Sequence, residues 1–325
     1  MARWIPSLLA SLALVAGSTS SPAAEAFPTK PIEITIGYAP GAGTDLGARM
    51  IAEQAKKHLG QDIVCVNKPG GAGRVALTLL SKQKGDGYSL GATTDSSLIV
   101  VPHLEKVSYK PLEDFTFIAQ YGTLNFGVTV PVSSPFKSLK EVIDWARANP
   151  GQLTMGIIGV GSSDHVAFQA LARHENIKIK FVPFNGAAPT MTALLGGHVM
   201  IAAPASSGFA PHVKAKSARL LAVLSDERLE QYPDVPTFKE LGYSDFVFQS
   251  WYVISGPKNM DKEVVRKLAD AFKRAMATPE YAKLANDLEI TAKRPLFGNE
   301  LRDGIAARDK KNVELFKVLE LTQVQ

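Results

Sequence analysis

Cysteine is nearly absent: the 325-residue chain holds one, Cys65, in the apolar run DIVCV. One thiol excludes an intrachain disulfide and a thiolate metal cluster, and its neighbours mark Cys65 as a buried strand residue. The six histidines, at 58, 103, 165, 174, 198 and 212, show no metal-ligand spacing. His174-Glu175 lacks the second histidine of a zinc-protease helix. No Gly-x-Ser-x-Gly elbow and no Gly-Lys-Ser/Thr phosphate loop occurs. No catalytic residue, metal or cofactor is therefore expected. The basic residues are scattered, without a run interleaved with aromatics, so nucleic acid is not an expected partner. No stretch reaches the roughly twenty apolar residues that a membrane helix needs.

What is present begins with a leader-like segment. Arg3 supplies a positive start, Ile5 to Ala16 an apolar stretch, and Ala24-Glu25-Ala26 a small-x-small site. Cleavage after Ala26 is expected, leaving an exported mature chain that starts at Phe27. Without a cysteine after the leader, that chain is expected to carry no lipid. Loss of Arg3 and Glu25 leaves the formal charge at +5, a mild excess that suits an anionic ligand. Apolar residues make up 46% of the sequence, enough for a sizeable core.

Strand-like and helix-like runs alternate. IEITIGYA leads into a helical run over 44–59, QDIVCVN through KPGGAG into RVALTLLSKQ, LTMGIIG through VGSS into DHVAFQALARHE, and IKIKFVPF through NGAAP into TMTALLGG. HVMIAAPA and ARLLAVLS read as further short strands. This βαβ patterning predicts an α/β fold with mostly parallel sheets covered by helices. Two extended runs, FGVTVPVSSPF (126–136) and FVFQSWYVISGP (246–257), read as crossings between two halves. One lobe is then expected over 27–125 plus 252–325 and the other over 126–251. The helical tail is expected to pack on the first lobe.

Four glycine-rich turns stand between a strand and a helix. Gly41-Ala42-Gly43-Thr44-Asp45-Leu46-Gly47 almost matches the dinucleotide fingerprint, but Leu46 occupies the place of the third glycine. Glycines let a ligand approach the backbone, and the first N–H groups of a helix have no internal partner. Such a turn can hold a carboxylate, or Thr44 or Asp45 can simply cap the helix. The device recurs at Asn67 to Gly73, Gly159 to His165 and Asn185 to Thr190. Two turns per half, facing across a cleft, fit the two ends of a dianion. Ser162, Asp164 and His165 are too close in sequence to form a hydrolase relay with one another.

The ordered stretches YAPGAGTD, NKPGGAG, GDGYSLGATT, KSLKEVIDWARANPGQLTMG, GVGSSDH, FVPFNGAAPTMTALLGGHV, RLLAVLSDERLEQYPDVPTFKELGY and SWYVISGP resemble the exported substrate-binding proteins of tripartite tricarboxylate transporters, the Bug (TctC) family. The resemblance runs from about Phe27 to the end. It implies a periplasmic, two-lobed clamshell, each lobe a mixed, mostly parallel sheet flanked by helices. Such a protein is expected to be monomeric, to bind a small organic carboxylate between its lobes, and to deliver it to membrane permease subunits without chemistry.

Carried over by position, the expected ligand contacts are Tyr38, Pro40, Gly41, Ala42, Gly43, Thr44 and Asp45 in the first loop. Gly161, Ser162, Ser163 and His165 follow in the second lobe, then Asn185, Gly186 and Ala187, with Thr94, Ser96 and Ser206 added. Asn185 stands where the family more often has lysine, after Phe184 in place of tyrosine. Met200 replaces a common aspartate. These departures favour a less polar acid, such as an aromatic dicarboxylate, over short amino or hydroxy acids. Val101 also replaces a frequent asparagine, a departure from the family pattern in the 94–101 loop. Two rivals share the sequence features: a sensor component that hands its loaded form to a signalling receptor, and a two-lobed enzyme acting on a carboxylate.

Overall fold

The computed structural model describes Met1 and residues 27–225, 227–246 and 249–318. The expected leader segment and its cleavage site after Ala26 lie outside the described residues, Met1 apart. Alternating apolar runs become strands in chain order: β1 (Ile32–Ile36), β2 (Ile63–Asn67), β3 (Ser89–Thr94), β4 (Phe115–Leu124), β5 (Gly127–Pro131), β6 (Leu153–Ile157), β7 (Ile179–Pro183), β8 (Ile201–Ala202), β9 (Ala218–Val223) and β10 (Ser250–Pro257). Between them lie helices α1 (Gly43–Leu59), α2 (Arg74–Leu80), α3 (Ser96–Ile99), α4 (Val101–Leu104), α5 (Leu139–Ala148), α6 (Ser163–His174), α7 (Ala187–Leu195) and α8 (Ser206–Lys214). The chain closes with α9 (Lys262–Met276), α10 (Pro279–Asp287) and α11 (Gly298–Val318).

The strands form two five-stranded sheets, ordered β2-β1-β3-β10-β4 and β7-β6-β8-β5-β9. This is the expected α/β, two-lobed architecture. In the first sheet β1 runs parallel to β2 and β3, and only β10 is antiparallel to its neighbours. In the second, β6 runs parallel to β7 and β8, and only β5 is antiparallel. The odd strand in each sheet is the one that has just arrived from the other. The two crossings touch: the Gln249 amide donates to Asn125 Oδ1 at 3.0 Å.

Local chemistry explains the elements. In α1, Ala48, Ile51, Ala52, Ala55 and Leu59 recur every three or four residues and are buried, which gives the helix one apolar face. Gly60, at φ 69°, ends it by donating its N–H to the Lys56 carbonyl, a left-handed position suited to glycine. Asp261 starts α9 by accepting the N–H groups of Glu263 and Val264 at 2.8 and 3.3 Å. The tail packs as expected: α9 lies on α1 and β4, and α11 on β4. The strand β4 was not singled out from sequence, although FTFIAQY has strand-forming residues. The apolar run LIVVPHL falls in two single-turn helices, α3 and α4, which break at Val100 (φ −120°, ψ −58°) because Pro102 has no N–H and its ring crowds the preceding turn. No helix among the described residues is long and apolar enough to cross a membrane.

A candidate binding seam between the lobes

Parallel strands send their carboxyl ends to the same side. In the first lobe β1, β2 and β3 therefore deliver the starts of α1, α2 and α3 together. In the second, β6, β7 and β8 deliver α6, α7 and α8. These are the places where open α/β sheets bind ligands.

The two sets face each other and touch reciprocally. The loop before α1 meets the loop before α7: the Ala39 N–H donates to the Asn185 carbonyl at 3.3 Å. A Cβ on Gly186 would lie 3.5 Å from the Tyr38 ring and 3.7 Å from Ala42 Cβ. Gly43 lies against Ser207 and Tyr252, where a Cβ would fall 2.3 Å from Ser207 Oγ. The loop before α6 makes the mirror contacts. A Cβ on Gly159 would come within 3.1 Å of Ala72, and one on Gly161 within 3.1 Å of Val101. Ser163 Oγ lies 2.8 Å from Ser96 Oγ. The seam is thus closed, and its polar surface is chiefly buried hydroxyl: Thr44, Thr94, Ser96, Ser162, Ser163 and Ser207.

The loops before α1 and α6 are each braced by an aspartate in the first turn of the helix. Asp45 accepts the Gly41 N–H at 3.0 Å, and its other oxygen meets Arg49 Nε at 2.8 Å and Asn67 Nδ2 at 2.9 Å. Asp164 accepts the Ile158 N–H at 3.0 Å and bonds Ser162. The two sites differ in charge. Asp45 has a guanidinium beside it, whereas Asp164 has hydrogen-bond donors only, and burial pushes its carboxyl up to about 7. His165 accepts the Gly161 N–H on Nδ1 at 3.1 Å, and its ring meets Phe181 edge-on with centroids 4.9 Å apart. Burial lowers it to about 4, so the ring is neutral at pH 7 and carries its proton on Nε2.

Ser162 has one hydroxyl proton and two acceptors, Gly159 O at 2.5 Å and Asp164. Both acceptors lie in the same turn, so donation to either keeps the hydroxyl there. The Ser162 hydroxyl is therefore engaged inside its own loop. Ser162→Ala is expected to cost about 1–3 kcal/mol of folding stability, the penalty for buried groups left without a partner. Urea denaturation checks this, and a change below about 0.5 kcal/mol would contradict the bracing role.

The structure brings most sequence-predicted residues to the seam, in different capacities. Tyr38 is buried, donates to Ala72 O at 3.0 Å and meets Thr94 Oγ1 at 2.9 Å. Burial raises its phenol to about 12, so it stays a neutral donor. Gly43 and Thr44 open α1, and Ala187 opens α7. Pro40, Gly41 and Asn185 are exposed at the rim. Ser206 lies farther toward the crossings, donating its hydroxyl to the Glu289 carbonyl at 2.7 Å. Sequence reasoning did not single out Ala72, Val101, Ser207 or Tyr252 as seam residues. Ala72 and Val101 lay in stretches already noted, but nothing in their type marks a contact with the other lobe.

Known proteins are similar to this chain in sequence and fold. The family model described as tripartite tricarboxylate transporter family receptor (TctC) matches residues 47–300. The UPF0065 protein in the gbd 5' region of Cupriavidus necator is 38% identical over 258 residues, covering 79% of this chain and 78% of its own length. Among solved structures, the periplasmic binding protein BugD is similar with a TM-score of 0.84 and 25% identity, covering 91% of this chain and 100% of its own. MatC from Rhodopseudomonas palustris, with bound malate, gives a TM-score of 0.81 at 25% identity, covering 90% and 99%.

Proposed function

This chain belongs to the tripartite tricarboxylate transporter receptor family, and from that premise we propose that it captures a small organic di- or tricarboxylate for uptake. The mature chain, from Phe27, acts in the periplasm as a monomer. Its two lobes close on the ligand, and the loaded form delivers it to the permease subunits of a tripartite transporter. It performs no chemistry on its cargo; its relatives are binding proteins.

One observation carries the reading. Glycine-rich helix starts from both lobes meet in a seam of hydroxyls, and the guanidiniums around it, Arg49, Arg74 and Arg308, each already face a carboxylate. Recognition then falls to backbone N–H groups at the starts of α1 and α6. Hydrogen bonds to a charged group are worth roughly 1.5–3 kcal/mol each. Two carboxylates with two or three such bonds offset an association cost of about 4–15 kcal/mol. A net near −8 kcal/mol, roughly micromolar, is then reachable. Malate in the related MatC supports a dicarboxylate, and Asn185, Phe184 and Met200 favour a less polar one.

A thermal-shift screen of the mature chain against malate, other aliphatic dicarboxylates, citrate and aromatic dicarboxylates tests the proposal. A ligand at 100 times its Kd adds about 2.7 kcal/mol of apparent stability. Silence across all di- and tricarboxylates, or turnover of one of them, would contradict it. N-terminal sequencing of periplasmic protein is expected to begin at Phe27.

A further inference from the structure

Ser96 and Ser163 belong to a polar chain that links the two lobes. Ser163 Oγ lies 2.8 Å from Ser96 Oγ, which lies 3.0 Å from Ser250 Oγ, which in turn bonds Asp95. Asp95 also accepts the Trp251 N–H at 2.9 Å and Arg308 Nε at 2.9 Å. The Arg308 guanidinium bonds the Gln249 carbonyl and lies 4.4 Å over the Trp251 ring. All three serines and Asp95 are buried.

The direction of the chain follows from proton counting. The Asp95 carboxylate, paired with Arg308, only accepts. The single Ser250 proton must go to it, so Ser250 accepts from Ser96. The Ser96 proton is then committed, and Ser96 accepts from Ser163. Every proton points from the second lobe toward the Asp95–Arg308 pair of the first. The chain passes through Ser250, the first residue of the strand that returns from the second lobe.

We propose that Ser163, Ser96, Ser250, Asp95 and Arg308 form a directed latch that holds the lobes closed, with Ser163 donating across the seam to the first lobe. Asp95 and Arg308 act as positioning residues: they fix the return crossing at Gln249–Trp251 and orient Ser96 as an acceptor. Within the latch, opening breaks one bond, Ser163 to Ser96, and leaves the other bonds intact in the first lobe. The latch rests on the clamshell fold, and it operates without ligand.

The test uses the free mature chain in small-angle scattering. Ser163→Ala and Ser96→Ala each remove the same bond. Each is expected to raise the open-to-closed ratio about 2- to 10-fold, the equivalent of one hydrogen bond, and so to increase the radius of gyration. The double variant is expected to add nothing further, because both changes delete one interaction. Asp95→Asn, which removes the charge that sets the direction, is expected to open the lobes as well. Unchanged scattering in Ser163→Ala, additive effects in the double variant, or a wild-type chain already as open as the variants would each overturn the latch. Since no carboxylate is added, failure here is distinguishable from failure of the carboxylate screen.

Discussion

Gly161→Val is expected to abolish carboxylate binding while both lobes remain folded. Gly161 sits at φ 78°, and a Cβ there would lie 3.1 Å from Val101 Cγ2 on the opposite lobe. A β-branched residue in the left-handed region costs on the order of 1–3 kcal/mol by itself. Its two methyl groups then occupy the space Val101 needs when the lobes close. The strain is present in open and closed forms alike and falls on folding, whereas the collision arises only in the closed form and falls on binding. A loss beyond about 100-fold in affinity is expected, since each 1.4 kcal/mol is tenfold. Ala42→Trp acts from the other side, because Ala42 is buried and opposed by Gly186. Arg74→Ala is the contrast. Its guanidinium already faces Glu105, and such half-exposed pairs are worth about 0–1 kcal/mol. Calorimetry with a ligand from the screen decides the matter. If Arg74→Ala destroys binding and Gly161→Val binds within tenfold of wild type, a guanidinium clamp replaces the helix-start mechanism.

Asp164→Asn is expected to tilt the pH profile of stability by about 4 kcal/mol between pH 4 and 7. The Asp164 carboxyl is pushed up to about 7 in the folded chain by burial. A raised acid stabilises the fold fully below its unfolded value, near 4, and that contribution is lost as pH rises through 7. His165 is lowered to about 4 by burial. Its contribution is full above its unfolded value, near 6.5, and is lost as pH falls through 4. Between pH 4 and 6.5 the two slopes oppose. The folded chain holds one proton on Asp164 and none on a cationic His165; the unfolded chain holds none on the aspartate and one extra on the histidine. The wild-type profile therefore hides both groups. Removing Asp164 exposes the rising His165 slope, about 1.4 kcal/mol per pH unit, and His165→Asn exposes the falling one. Urea denaturation at several pH values, taken as variant minus wild type, cancels the surface carboxylates common to both. A flat difference for Asp164→Asn would show that Asp164 is ionised in the fold at pH 5.

Much of this architecture was legible because it is written locally. The period of apolar residues in 44–59 names α1, and Gly60 names its end. The two extended crossings were visible as runs, and β5 and β10 lie within them. β4 escaped notice because nothing marked FTFIAQYGTL off as a unit, neither a glycine-rich turn before it nor a helix after it. The short run HVMIAAPA contributes only Ile201–Ala202 as β8, since its later residues turn toward the seam.

Local sequence specifies the strand–loop–helix order, the glycines where the backbone must turn left-handed, and the hydroxyls that follow them. These depend on residues a few positions apart, through backbone sterics and orphan helix donors. Only the tertiary structure decided what those hydroxyls do. Ser96 meets Ser163 across 67 residues of chain, and Ser206 finds the Glu289 carbonyl across 83. A hydroxyl has one proton and can donate it to a loop, a ligand or the opposite lobe. Composition cannot choose among them, because the choice is made by acceptors that only the packing of two lobes brings within 3 Å.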